Sequence, residues 1–204
     1  MSARGRLITL EGVDGAGKSS HIQFIAEALS AGGRNVVVTR EPGGTDLAER
    51  LRKAILEESM DPMAETLLLF AARTDHVRRV IGPALAAGSW VVCDRFSDAT
   101  VAYQGAGKGV PLDLIERLAA AAHPGLTPDR TLLFDCSYEV ARKRLAASGK
   151  ALDRFEREDR AFFERVRKAY LARAKAEPDR IRTIDASGDQ AAIRKALERH
   201  LVFK

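Results

Sequence analysis

Five short apolar runs punctuate the chain: Leu7–Leu10, Val36–Thr39, Trp90–Asp94, Leu132–Asp135 and Ile181–Ile184. Each is near-continuously apolar rather than alternating, the pattern of parallel strands covered on both faces. Between them, apolar positions recur at helical spacing. Ile22, Ile25, Ala26 and Leu29 follow the first run, and Leu112, Ile115, Leu118, Ala119 and Ala122 follow Pro111. Phe155, Phe162, Phe163, Val166 and Tyr170 form a further stripe, which predicts a helix carrying all five on one face. The last helix is expected to open on Ser187-Gly188-Asp189-Gln190, a capping-box pattern, and to bury Ile193, Ala196, Leu197 and Leu201. Strands alternating with helices predict an α/β domain with a mostly parallel central sheet. No repeat, low-complexity tract or Pro/Gly-rich linker divides the 204 residues, so residues 1–204 read as one domain.

A composition of 46% hydrophobic and 30% charged residues excludes a disordered or fibrous chain. The net charge of +5 is unevenly spread. Residues 142–182 carry 14 Lys/Arg against 7 Asp/Glu, while the rest holds 19 against 21. Within that segment bases alternate with acids, as in Arg154, Glu156, Arg157, Glu158, Asp159 and Arg160, and no aromatic is clearly exposed for stacking. That is a solvated face rather than a nucleic-acid track, and no nucleic-acid partner is expected. Cys93 and Cys136 lie inside apolar runs at a spacing that builds neither a disulfide framework nor a CxxC pair. They read as buried thiols of a reducing compartment. His21, His76, His123 and His200 have no partner at ligand spacing and read as surface or packing residues, so no zinc site is expected. The N-terminus lacks the apolar h-region of a signal peptide, and no window approaches the ~18 apolar residues of a membrane span. A cytoplasmic location without membrane attachment is the expectation.

The first run is followed by Glu11-Gly12-Val13-Asp14-Gly15-Ala16-Gly17-Lys18-Ser19-Ser20, in which Gly12 through Ser19 satisfy GxxxxGK[ST]. Glycines let successive backbone N–H groups turn inward around a phosphate, and the helix behind them presents its positive end. Lys18 is placed to reach the β/γ-phosphates and the Ser19 hydroxyl to ligand Mg²⁺. The match follows a strand and opens an apolar-periodic helix, the context the motif requires. An Asn-Lys-x-Asp guanine-reading motif is absent from the sequence, which counts against a GTPase.

Trp90–Asp94 ends in a carboxylate able to orient a Mg²⁺ shell, and Arg95 comes next, where an open α/β sheet binds its ligands. An arginine there points to a second anionic ligand. Pro42-Gly43-Gly44 is expected to throw Arg40 and Glu41 toward the same edge. Arg52, Arg73 and the run Ala99-Thr100-Val101-Ala102-Tyr103-Gln104-Gly105 complete a set that describes a nucleoside monophosphate site.

The ordered combination of phosphate loop, Arg40–Thr45 (REPGGT), Asp94–Phe96 (DRF), Ala102–Gly105 (AYQG) and Leu152–Glu156 resembles the bacterial thymidylate kinases over nearly the whole chain. The resemblance implies a five-stranded parallel sheet flanked by helices and a homodimer. It implies the reaction ATP + dTMP giving ADP + dTDP with Mg²⁺, in the supply of dTTP for DNA synthesis. Asp14 resembles the loop carboxylate near the sugar hydroxyl and acceptor phosphate, and Glu41 a further sugar- or metal-side acid. Arg52 and Arg95 look like the pair gripping the dTMP phosphate, and Arg73 like the arginine bonding the thymine edge. Thr100, Tyr103 and Gln104 look like base and sugar contacts.

Two positions depart from the family. Leu69 stands where a stacking aromatic is usual, and Phe70 follows about 100° further round a helix; Phe70 is the base contact expected, with Leu69 the alternative. The basic lid, at about 142–154, offers Arg142, Arg144, Lys150 and Arg154 as the transition-state cation. Arg154 has the best motif match; an ion pair with Asp153 or Glu156 is its alternative. For Arg73 the alternative is an ion pair with Asp75 or Glu65. A kinase for another deoxynucleotide or a nucleoside is the competing function.

Overall fold

The computed structural model describes residues 4–149 and 151–201. The first apolar run forms β1 (Leu7–Glu11), and the glycine-rich loop behind it feeds α1 (Ser19–Ala31). β2 (Val36–Arg40) precedes α2 (Asp46–Glu57), α3 (Pro62–His76), a π-helical turn over Val77–Ile81 and the short α4 (Gly82–Ala86). β3 (Trp90–Asp94) leads into α5 (Ser97–Thr100), a second π-helical segment over Val101–Gly107, and α6 (Leu112–Ala122). Then come β4 (Arg130–Asp135), α7 (Tyr138–Ala147), α8 (Arg160–Ala176), β5 (Ile181–Asp185) and α9 (Gln190–Glu198).

The sheet is parallel throughout, in the order β2-β3-β1-β4-β5. Successive strand side chains point to opposite faces, and both faces are covered. Ile8, Leu10, Val92 and Phe134 pack with Ile25 and Leu29 of α1, Val166 and Tyr170 of α8 and Leu197 of α9. Leu7, Val91 and Cys93 pack on the other side with Ile81, Leu85 and Phe96. Burial of each such aliphatic side chain contributes about 1.5–3 kcal/mol, which is why most buried positions of the runs are aliphatic. From β1 the chain crosses to β2, and it later returns to β4 on β1's other side. The direction of winding therefore reverses at β1, whose carboxyl end is the switch point where such sheets bind ligands.

Two helix starts differ from the pattern expected. Phe155 is not on α8. Asp153 Oδ1 accepts from the backbone N–H of Phe155 and Glu156 at 2.9 and 3.0 Å, closing a local turn, and α8 begins afresh behind Asp159, which accepts from Phe162 N at 2.7 Å. Adjacent carboxylate caps break what the apolar spacing alone reads as continuous. Likewise α9 is capped by Asp189, accepting from Ala192 N at 2.8 Å, and not by Ser187. Ile193, Leu197 and Leu201 are buried as expected, and Ala196 packs at the edge of that cluster.

One polar knot ties α5 to α8 and the sheet. Asp98, 4% exposed, receives Arg173 Nε at 2.5 Å and Arg180 Nη1 at 2.7 Å. Glu177 also pairs with Arg173 at 2.9 Å and with Arg180 at 2.7 Å, so loss of Asp98 removes buried hydrogen bonds without stranding either charge. Asp98→Ala should therefore lower stability by about 1–3 kcal/mol, read as a lower urea midpoint with an unchanged denaturant slope. A shift within error would mean that Arg173 and Arg180 find solvent instead.

Candidate functional site

The glycine-rich loop owes its shape to backbone that a side chain would block. Gly12 has φ +135°, and a Cβ there would stand 2.3 Å from Phe134 O; Gly15 has φ +79°, and its Cβ would meet Ala141 O at 2.5 Å. Lys18 folds back over the loop, with Nζ donating to Gly12 O at 2.9 Å and Val13 O at 3.0 Å. Burial, with the Arg95 charge added, holds the Lys18 ammonium pKa below its ordinary value. Ser19 and Ser20 open α1 and are exposed.

Arg95 joins this loop to the rest of the site. It takes φ +69°, a left-handed conformation that a non-glycine residue adopts at a cost of order 1–3 kcal/mol. Its own N–H donates to Leu10 O at 2.9 Å, and that of Phe96 to Glu11 Oε1 at 2.7 Å, so the strained turn is held from both sides. The guanidinium donates from Nη1 to Gly12 O at 3.0 Å and Tyr170 Oη at 3.2 Å, and from Nη2 to Asp14 Oδ1 at 2.5 Å and Tyr103 Oη at 3.0 Å. Tyr103 Oη in turn donates to Asp14 Oδ2 at 2.8 Å, and Tyr170 Oη to Glu11 Oε2 at 2.7 Å. Burial alone would raise the Asp14 carboxyl, but Arg95 and Lys18 overcome it and hold Asp14 below the usual carboxylate range.

Beside Arg95 opens a cleft with about 600 Å³ of empty space, part of it open to solvent. Asp14, Glu41, Arg52, Arg73, Thr100, Tyr103 and Gln104 all line it, as do Leu69, Phe96, Asp153 and Phe155. Arg52 Nη1 donates to Pro42 O at 2.9 Å; burial and then Arg40 lower its pKa. Glu41 is nearly inaccessible, with Arg73 Nε on Oε2 at 2.6 Å and His76 Nδ1 3.0 Å from Oε1. These partners outweigh burial and keep its carboxyl low. Arg73 Nη2 donates to Thr100 Oγ1 at 3.2 Å, while buried Nη1 has no partner among the described residues.

The structure departs from several sequence expectations. Arg73 pairs with Glu41, not with Asp75 or Glu65. Arg40 is turned to solvent, on Glu49 at 2.9 Å, because alternate strand residues face opposite ways. Phe70 does not line the cleft. It is buried with Val110, Ile115 and Ala122, its ring beneath Arg73, whereas Leu69 reaches the cleft; consecutive residues on α3 are rotated by about 100°. Arg154 does not reach the phosphate loop, nor does it pair with Asp153 or Glu156. Its guanidinium binds Glu65 on α3 and Ile55 O. Among the described lid residues Arg144 reaches the loop, donating from Nη1 to Ala16 O at 3.2 Å, and Arg142 donates to Glu156 O at 2.8 Å. Lys150 lies outside the described residues.

Glu11, Glu65, His76, Phe155 and Tyr170 belong to the site and were not among the expected residues. Glu11 carried a signal, a carboxylate closing an apolar strand beside a phosphate loop. The others depend on contacts between elements distant in sequence. Among the described residues no group of three metal-ligating side chains occurs. Mg²⁺ needs few protein ligands, since phosphates and water supply the others. Asp94 Oδ1, buried without a hydrogen-bond partner among those residues, and the exposed Ser19 hydroxyl fit that requirement.

Residues 10–197 match the family model described as thymidylate kinase. The chain is 58% identical over 201 residues to a thymidylate kinase of Bordetella petrii, covering 98% of this chain and 97% of the relative. It is 56% identical over 192 residues to one of Methylobacillus flagellatus, covering 94% of each. The crystal structure of a thymidylate kinase from Ehrlichia chaffeensis superposes with a TM-score of 0.80 at 33% identity, over 97% of this chain and 98% of that one.

Burial, reinforced by Asp98, raises the Glu11 carboxyl to about 7. The folded protein therefore holds this proton where the unfolded chain releases it. Glu11's contribution to stability is full below pH 4.5 and is lost as pH rises through 7, about 3 kcal/mol in all. Urea titrations between pH 4.5 and 8 should show the wild type losing that much relative to Glu11→Gln. Parallel curves for the two proteins would exclude Glu11 as the titrating group.

Proposed function

The chain belongs to the thymidylate kinase family and transfers a phosphoryl group from ATP to dTMP, giving ADP and dTDP, and we propose the following division of labour among its residues. The loop from Gly12 to Ser20 takes the ATP phosphates on its backbone N–H groups (Gly12, Val13, Asp14, Gly15, Ala16, Gly17, Lys18, Ser19, Ser20). Lys18 leaves the loop carbonyls for the β/γ-oxygens, which are far stronger acceptors for an ammonium. Arg52 and Arg95 grip the acceptor phosphate. Asp14 sets Arg95's orientation and faces the sugar side, with Glu41 behind it. Arg73, Thr100 and Gln104 meet the base edge, Tyr103 the sugar, and Leu69 with Phe96 and Phe155 the base faces in place of Phe70.

The carrying observation is that one side chain serves both halves: Arg95 lines the cleft and bonds the loop through Gly12 O at 3.0 Å and Asp14 at 2.5 Å. Donor and acceptor phosphates so arranged meet at a single cation. A phosphate monoester with second pKa near about 6 is already mostly dianionic at neutral pH, so no strong base is required. The work left is to align two anions against their repulsion and to exclude water. Ser19 and Asp94 would hold Mg²⁺, which when bound neutralises charge on the β- and γ-phosphates. Arg154, fastened to Glu65, holds the lid segment against the acceptor cleft, a positioning role; among the described residues Arg144 is the lid cation that contacts the loop. The chain works as a cytoplasmic homodimer. Leu67 of α3 and Leu112 of α6, 50% and 49% exposed on helices that pack together, give an apolar face for that contact.

Lys18→Ala and Arg95→Ala should keep the circular dichroism of the wild type and lower kcat for dTMP by roughly 10³-fold or more. Turnover within ten-fold of wild type in either variant would refute its assigned role. In a substrate panel, dTMP should win clearly over UMP, dUMP, dCMP and thymidine. Turnover of thymidine at a comparable rate would demand a base for its hydroxyl and remove the argument above.

A further inference from the structure

Glu65 on α3 is fully buried, and its carboxylate is bound from three directions: by Gln104 Nε2 at 2.7 Å, by Lys108 Nζ at 2.8 Å and by Arg154. A carboxylate accepts hydrogen bonds and has no proton to give, so the end of the Gln104 amide that faces it is the NH₂. With the nitrogen pinned, Oε1 is the amide atom left over. It has no partner among the described residues, and Gln104 lines the cleft. On the same cleft, Arg73 Nη1 is a buried donor without a partner among those residues. The wall thus offers one donor and one acceptor. With Arg73 taken against the 4-position and Gln104 against N3, a pyrimidine with a 4-oxo group and an N3–H presents the complement. A 4-amino pyrimidine presents a donor and an unprotonated N3, like against like at both positions.

We propose that Glu65 is a specificity-determining positioning residue: by fixing the Gln104 amide, it makes the cleft select 4-oxo over 4-amino pyrimidine monophosphates. Glu65 touches no substrate. An unrestrained glutamine amide turns over with almost no change of shape and exchanges acceptor for donor, which would give the unprotonated N3 of a 4-amino base a partner. Glu65 removes that second state, and leaves the wrong base facing unpaired polar groups. The inference rests on the reading of this cleft as the base pocket.

The test is the ratio of kcat/KM values for dTMP, dUMP and dCMP in the wild type and Glu65→Gln, whose side-chain amide can donate to a turned Gln104. The dTMP:dCMP ratio should fall about ten-fold or more, through a lower KM for dCMP, while dTMP:dUMP, both 4-oxo, moves less than about two-fold. Lys108 donates to both Glu65 oxygens, at 3.0 and 2.8 Å; Lys108→Met removes that cation while the Gln104 bond to Oε1 remains, and should keep both ratios. Should Glu65→Gln alone fail to fold, the charge-balanced Glu65→Gln/Lys108→Met variant reads the same ratios. An unchanged dTMP:dCMP ratio, an equal fall in both ratios, or the same fall in Lys108→Met would overturn the role of Glu65. A wild type that does not prefer dTMP to dCMP would instead overturn the base-pocket reading itself.

Discussion

The ion pair between Arg95 and Asp14 organises the carboxyl edge of the sheet. Arg95 stands one residue past β3 and Asp14 inside the loop that leaves β1, neighbouring strands in the sheet. Their contact at 2.5 Å closes the gap between phosphate loop and cleft. The guanidinium reaches both Gly12 and Asp14 from a left-handed backbone that Glu11 and Leu10 hold in place. Local strain is thus spent on aim, a use of strained backbone common at functional sites.

A second constraint is the handling of buried carboxylates. Glu11, Glu41, Glu65 and Asp98 are each almost inaccessible, and each is surrounded by donors. Burying charge seldom adds net stability relative to an apolar core, but it narrows the geometries the surrounding groups can adopt. Glu41 fixes Arg73 on the cleft wall, Glu65 fixes Gln104 and Arg154, and Asp98 fixes α5 to α8. The cleft is therefore rigid where recognition requires direction. Another part of its wall is the short turn from Asp153 to Glu156, built on its own carboxylate cap rather than on helix.

The fold was legible because strand and helix signals are local. A short apolar run has few alternatives, and all five became parallel strands within a residue or two of the expected ends, although only β1, β3 and β4 are buried on both faces and β2 and β5 are edges. The phosphate loop was legible for the same reason, since its glycines, Lys18 and Ser19 act within a few residues of one another. Errors arose where two local signals competed. The apolar spacing placed Phe155 on α8, but Asp153 and Asp159 ended one turn and began another. Ser187 matched a cap pattern, yet Asp189, the stronger acceptor, took the position.

The site's residue types were in the sequence, but their partners were not. Arg73 is in the linear code; its pairing with Glu41, 32 residues away, is not. Arg154 belongs to a basic lid by composition, but Glu65, 89 positions earlier, decides where its charge goes. Helix phase put Leu69 rather than Phe70 on the cleft, a difference of one residue that composition cannot resolve. Sequence by itself determined the five strands, several of the helices between them and the chemistry available, because propensity, periodicity and loop geometry act between near neighbours. Tertiary structure decided which charges meet and which way each amide and guanidinium points, because those depend on distances between elements that only packing brings together.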